Sequence, residues 1–350
     1  MSALDRARIE AVDSGRMLAN IVGMPEQLGD ALWRVESAGI EPIDTPGGLV
    51  VAGMGGSAIG GALARAALAD QASRPILAAS GYGLPSWTTP ATTVLCASYS
   101  GNTEETLACF ESAGALGARR IVVTTGGLLG EQARAEGVPV IPMPAGFEPR
   151  AAIAYLLISA LEGAALCGAG PRLSAEIDVT ASHLEQLGAR WGPDADEDAE
   201  PKALARELHG SVPVIAGAEL TAQIAHRWKA QINENASMPA FAGEIPELDH
   251  NEIAGWMGAG ALGPFSAVFL DDCDSHPRLR RRIELTERFV APHARFTGVV
   301  ATRGESALER VCSLVLFGDL LSCYVAALNG VDPTAAPPLE ELKRQLALGE

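Results

Sequence analysis

Positive charge is scarce in this chain. Its 350 residues carry 26 Lys and Arg against 43 Asp and Glu, a formal net charge of −17. A nucleic-acid partner needs a basic face, so that class is not expected. The one basic cluster, 278–282 (RLRRR), reads as a solvated helix face paired with Glu284, Glu287 and Asp272. Cysteine pairing is missing as well: Cys96, Cys109, Cys167, Cys273, Cys312 and Cys323 show neither C-x-x-C nor zinc spacing. They read as buried thiols in a reducing compartment. There is no H-E-x-x-H, and no spacing of carboxylates argues for a metal. No apolar run reads as long enough to cross a membrane, and the opening MSALDRARIE has the form of neither a signal nor a transit peptide. The expectation is a soluble cytoplasmic protein without a membrane partner.

Against these absences stand two turns rich in glycine and hydroxyls, 53–61 (GMGGSAIGG) and 98–106 (SYSGNTEET). Each follows a short apolar run, Leu49 to Ala52 or Thr93 to Ala97, and each leads into a helix-like stretch. A glycine-rich turn from strand to helix bares backbone N–H groups at the positive end of a helix dipole, which suits an anion. Ser98, Ser100 and Thr103 add three hydroxyl donors within six residues. Neither turn carries a basic side chain, so neutral donors and dipoles would hold a phosphate ester. Gly53, Gly55 and Ala58 also match the G-x-G-x-x-G/A dinucleotide pattern. A nicotinamide site wants an Asp or Glu after the second strand, and 75–80 (PILAAS) ends without one.

The rhythm of apolar runs repeats along the chain. Expected strands at 49–52, 76–79, 93–97 and 121–125, separated by helical patterns, argue for a parallel sheet. Runs at 212–216, 267–270 and 296–301 repeat the pattern, so two α/β sandwiches of one type are expected. The expected division is an N-terminal helical segment 1–40, a first α/β unit 41–150, a helical connector with an acidic loop 151–208, a second unit 209–330 and a helical tail 331–350. The acidic, Pro-containing 191–201 (WGPDADEDAEP) reads as an exposed loop, and 339–348 (LEELKRQLAL) as a short amphipathic helix introduced by Pro337 and Pro338.

The stretch 227–256 is unusually polar for so apolar a chain. It holds Lys229, Gln231, Asn233, Glu234, Asn235, Glu244, Glu247, Asp249, His250, Asn251 and Glu252. One carboxylate and one imidazole from it could serve as base and acid; a charged loop with an ordinary histidine has the same composition.

Taken in order, the two turns, the 149–152 segment (PRAA), NENA at 233–236, PELDHNE at 246–252 and the closing 332–334 (DPT) with EELK resemble the bifunctional phosphoglucose/phosphomannose isomerases of the sugar isomerase (SIS) superfamily. The resemblance spans nearly the whole chain. It implies an α/β fold of two SIS-type sandwich subdomains with parallel sheets flanked by helices. It also implies a homodimer with active sites shared between subunits, a hexose 6-phosphate substrate and no metal or organic cofactor.

By the same resemblance Gly55, Gly56 and Ser57 border the sugar, while Ser98, Ser100 and Thr103 hold its phosphate. Glu234 matches the family's catalytic base, and His250 the histidine that opens the sugar ring from the neighbouring subunit. Arg150 matches the arginine beside the reacting carbons, and Lys343 the lysine near the ring oxygen. Thr334 is the one hydroxyl in the Ala/Pro-rich segment that should leave room for both C2 epimers. Two other readings share the loops: an SIS protein that binds a sugar phosphate and regulates a partner, and an SIS isomerase for another sugar phosphate.

Overall fold

The computed structural model describes residues 4–348; the first three and last two, which fall in the expected N-terminal and C-terminal helical segments, lie outside it. The chain divides into two compact units. One comprises 23–185 with 304–311, and the other 4–22, 186–303 and 312–348. The 151–208 stretch is accordingly distributed rather than set apart. The Ile153–Leu166 helix lies in the first unit, the Ser174–Trp191 helix reaches the division at its last turns, and the Glu200–Leu208 helix lies in the second.

The first unit contains five parallel strands: β1 (Leu49–Ala52), β2 (Ile76–Ala79), β3 (Thr93–Ala97), β4 (Arg119–Thr124) and β5 (Val140–Pro142). Their order across the sheet is β2-β1-β3-β4-β5. β1 and β3 are adjacent and in register from Leu49 opposite Thr93 to Ala52 opposite Cys96. Both are buried along their whole length, which is why they read as unbroken apolar runs rather than alternating ones. Val50, Val94, Cys96, Phe110, Val122 and Leu129 pack together as part of the core on one side of this sheet. β4 begins two residues earlier than expected. β5 was not foreseen: three residues containing a proline make too short a run to register as a strand.

The second unit contains four parallel strands, β6 (Val212–Ala218), β7 (Phe241–Ile245), β8 (Phe265–Asp271) and β9 (Phe296–Ala301), in the order β7-β6-β8-β9. β7 lies inside the polar 227–256 stretch. As an edge strand with an exposed Phe241 and a glycine, it lacks the apolar pattern that marks its neighbours.

Three further expectations are corrected. A helix does reach membrane-crossing length and hydropathy, Ala307–Asn329 with a mean hydropathy of 2.0, but 94% of its apolar window is buried in protein. It is a core helix, and from Cys312 onward it carries Asp319 in a buried ion pair. Cys273 is exposed, unlike the other five cysteines. In the 191–201 segment Trp191, Gly192, Pro193 and Pro201 are buried and the acidic residues between them are exposed; Trp191 ends one helix and Glu200 begins the next. The buried Lys202 ammonium donates to the carbonyls of Pro193 and Ala195 at 2.9 and 2.7 Å and so shapes that turn.

Candidate active site

In the first sheet β1 has β2 on one side and β3 on the other, so the chain leaves the carboxyl ends of β1 and β3 in opposite directions. Ligands of open α/β sheets lie at such a switch point. The two hydroxyl-bearing and glycine-rich turns are the segments that follow β1 and β3. They feed the Gly56–Ala67 and Glu104–Ala115 helices, whose first-turn N–H groups have no partner within the helix.

The second turn is braced from within. Ser98 is buried; its Oγ accepts from the Gly101 N–H at 3.1 Å and lies 2.8 Å from Thr103 Oγ1. Ser100 is exposed, and its Oγ accepts from the Asn102 N–H at 3.2 Å. Thr103 is the residue before the helix, and its side chain makes no capping bond to it. Ser98 thus shapes the loop, and Ser100 stands at its surface. Behind them lies a third turn that sequence reasoning missed. Gly101, at φ +70°, approaches Gly126 so closely that a Cβ would stand 1.9 Å from the Gly126 carbonyl oxygen. Asn102 Oδ1 accepts from the Leu128 N–H at 3.0 Å. The signal was present as Thr125, Gly126 and Gly127 directly after Thr124, the last residue of β4.

The first turn meets the arginine segment. A Cβ on Gly56 would lie 3.1 Å from the Pro149 carbonyl oxygen and 3.4 Å from Arg150 Cα, so the missing side chain lets the Pro149–Ala151 turn approach the loop. Gly55 is exposed at φ +52°, and Ser57 is buried in the first helical turn. Arg150 is 6% exposed, with Nη1 3.4 Å from Glu148 Oε2. The structure therefore brings Gly55, Gly56, Ser57, Ser98, Ser100, Thr103 and Arg150 together in one unit.

Glu234, His250, Thr334 and Lys343 belong to the other unit. Glu234 is half-buried near the end of the Ala222–Asn235 helix. Its position is set by the asparagines beside it. Asn233 Oδ1 accepts from the Ala240 N–H at 2.8 Å, and Asn235 Nδ2 donates to Ser322 Oγ at 2.9 Å. One face of the helix holds Arg227, Gln231 and Asn235 at four-residue spacing. Arg227 grips Asp319 with two bonds, Nε to Oδ1 at 3.0 Å and Nη2 to Oδ2 at 2.6 Å, and Gln231 Nε2 donates to the same carboxylate at 2.9 Å. Trp228 stacks on Phe317 at 5.2 Å, and its Nε1 donates to the Leu314 carbonyl at 2.7 Å. A buried carboxylate bonded on both oxygens by a planar guanidinium resists rotation and sliding of the helix.

His250 is exposed at the end of the short Glu247–His250 turn that follows β7. Asp249 before it is anchored on the Pro277–Val290 helix, accepting from Arg282 Nη1 at 3.0 Å and Thr286 Oγ1 at 2.7 Å. This revises the expected pairing of the basic cluster: Arg282 bonds Asp249, Arg280 bonds Asp271 and the Asp272 carbonyl, and Arg281 pairs with Glu284 as expected. Thr334 is engaged locally, its hydroxyl bonding Asp332 and accepting from the Gly15 N–H at 3.1 Å. Lys343 is exposed on the Pro337–Leu348 helix, which begins two residues earlier than expected.

The second sheet has a switch point too, between β6 and β8, but its edge carries charge. Glu219 follows β6, Glu247 comes soon after β7, and Asp271, Asp272 and Asp274 cluster at the end of β8. The turns directly after β1, β3 and β4 begin with glycine, serine and threonine instead. Carboxylates repel a phosphate where backbone N–H groups and hydroxyls attract it. Among the described residues no three His, Cys, Asp or Glu side chains converge as a metal centre requires.

Residues 197–346 match the family model described as the bacterial phospho-glucose isomerase C-terminal SIS domain. The chain is 36% identical over 338 residues to a bifunctional phosphoglucose/phosphomannose isomerase from Caldicellulosiruptor bescii, covering 95% of this chain and 99% of that one. It is 33% identical over 301 residues to the protein of the same name from Aquifex aeolicus, covering 85% and 90%. A solved structure of a hypothetical protein from Thermus thermophilus superposes with a TM-score of 0.74 at 17% identity, over 99% of this chain and 94% of that one, and supports the fold.

Proposed function

Since the chain belongs to the bifunctional phosphoglucose/phosphomannose isomerase family, we propose that it interconverts glucose 6-phosphate and mannose 6-phosphate with fructose 6-phosphate through a cis-enediolate. The observation that carries this reading is the switch point of the first sheet, with hydroxyls on one turn and the Arg150 segment set against the other. A monoanionic or dianionic ester fits two helix N-termini and the Ser100 and Thr103 hydroxyls without a basic side chain in either turn.

The reaction needs the ring opened, a proton moved between C2 and C1, and charge held on two oxygens meanwhile. In the proposal His250 transfers a proton between the ring oxygen and the C1 hydroxyl, a task suited to an imidazole, whose two nitrogens can give and take a proton. Glu234 takes the proton from one carbon and returns it to the other, since its conjugate acid is a competent donor once water is excluded. Arg150 cannot act as a base and instead stabilises the enediolate oxygens. Lys343 bonds the ring oxygen or its hydroxyl. Glucose and mannose phosphates differ at C2, so one base serves both only if the open-chain sugar turns between two placements; Thr334 is assigned to the wall that permits it. Metal independence, a cytoplasmic location and a homodimer in which His250 serves the neighbouring subunit belong to the same proposal.

The test is isomerisation of fructose 6-phosphate by the full chain with chelator present, following both aldose phosphates separately. Both products are expected. A single product would remove the bifunctional part, and loss of activity on chelation would remove the metal-free part. Folded protein that binds inorganic phosphate yet forms neither product would favour a sugar-phosphate-binding regulator.

A further inference from the structure

Tyr99 stands between Ser98 and Ser100 and is held at both ends. Its main-chain carbonyl accepts from the Thr125 N–H at 3.1 Å and from Thr125 Oγ1 at 2.8 Å, which fixes the loop from the β4 side. Its phenol reaches the other way. Tyr99 Oη accepts from the Phe147 N–H at 2.8 Å and donates to the Pro144 carbonyl at 3.1 Å, so both hydrogen-bonding capacities of the hydroxyl go to one short segment. That segment is neither helix nor strand, bends at Gly146 with φ +98°, and runs directly into the Pro149–Ala151 turn that carries Arg150. Phe147 adds an edge-to-face contact with Tyr155 at 5.8 Å.

We propose that Tyr99 is a positioning residue which couples the phosphate loop to Arg150: its phenol ties the 144–151 segment to the residues that flank the phosphate, so that a filled loop sets the guanidinium in place at the reacting carbons. The proposal rests on the roles given above to the 98–103 loop and to Arg150. Its physical basis is that binding energy from the non-reacting phosphate is most useful when it fixes groups at the distant reacting centre. A displacement near 1 Å can cost on the order of 100-fold in rate. Burial raises the Tyr99 hydroxyl above its ordinary value, so it remains a phenol able to donate to Pro144 at working pH.

The test is Y99F, which keeps the ring and removes both bonds of the hydroxyl, studied alone and with R150A. Expected for Y99F is a fall in kcat of about 10- to 100-fold, with KM for fructose 6-phosphate and the inhibition constant of inorganic phosphate both within about threefold of the parent's. In the R150A background Y99F should cost no more than about twofold further, because the two act through one group. T125V, which removes only the hydroxyl bond to the Tyr99 carbonyl, is the milder second variant and should lower kcat about threefold.

A Y99F or T125V enzyme with the parent's kcat overturns the proposal. So does a tenfold weaker hold on inorganic phosphate with kcat intact, which would make Tyr99 a prop of the phosphate loop alone. If R150A cripples kcat but Y99F lowers it by the same factor in both backgrounds, the coupling fails while the reading of Arg150 stands. R150A at the parent's kcat overturns that reading and the coupling with it.

Discussion

Asp249 and Arg282 are joined across 3.0 Å, and the bond ties the turn that carries His250 to the Pro277–Val290 helix thirty-three residues further on. Thr286 completes the anchor on the other carboxylate oxygen at 2.7 Å. The ion pair reaches solvent on the arginine side, so its contribution to stability is small, on the order of 1 kcal/mol or less. Its value lies in where it leaves the imidazole. D249A is expected to lower kcat about tenfold while the melting temperature falls by only a few degrees. Equal kcat in parent and variant would separate His250 from this anchor.

Glu234→Gln keeps the size of the side chain and its place between two anchored asparagines, but cannot accept the proton. Turnover should fall by about 100- to 10,000-fold, with binding of inorganic phosphate unchanged by titration calorimetry. Parallel loss of turnover and binding would make Glu234 a structural residue.

Ser100 presents its hydroxyl at the loop surface, whereas Ser98 spends its own on Gly101 and Thr103. S100A should therefore raise KM about tenfold, the worth of one hydrogen bond to a charged group, and leave kcat nearly intact. S98A should lower the melting temperature as well, because it removes bonds within the loop. If S100A has the parent's KM, Ser100 does not touch the phosphate.

The shared-site arrangement is tested by mixing. E234Q and H250N, each expected to be inactive alone, are combined under conditions of verified subunit exchange. Mixed dimers recover activity if one site takes Glu234 from one chain and His250 from the other; a dead mixture places both residues in a site built by one chain.

Burial alone would raise the Asp332 carboxyl, but the hydroxyls of Ser14 and Thr334 and the Thr334 N–H outweigh it and hold the group below its usual value. A carboxylate whose folded pKa lies under its unfolded value of about 3.9 adds stability that is present above that pH and lost as the pH falls through the folded value. D332N should thus melt lower than the parent near pH 7, and the gap should close in acid, below about pH 4. A gap of the same size at both ends would mean that the ionised carboxylate is not what joins 332–334 to the 14–15 turn.

Legibility in the sequence followed burial. β1, β2, β3 and β9 have the ends their apolar runs mark, and the two glycine- and hydroxyl-rich turns stand out because their composition is local. β5 and β7 escaped because one is a proline-ended triplet and the other an exposed edge strand set among polar residues. The Ala307–Asn329 helix hid its length because Glu309, Arg310 and Asp319 interrupt the apolar run, and only the fold shows what they bond. The same holds for Asp249 and Tyr99. Each is defined by partners dozens of residues away, 33 for Asp249 and 48 for Tyr99, and no spacing rule reaches that far.

The acidic carboxyl edge of β6, β7 and β8 has a consequence for stoichiometry. A fold used twice in one chain offers two switch points, and matched electrostatics would have let each capture an ester. Here carboxylates, with Arg280 bonded to Asp271 among them, follow the strands of one, and glycine and hydroxyl residues follow those of the other. Under the proposed function each chain is expected to take up one equivalent of inorganic phosphate in titration calorimetry, and two equivalents would mean that the two switch points are alike.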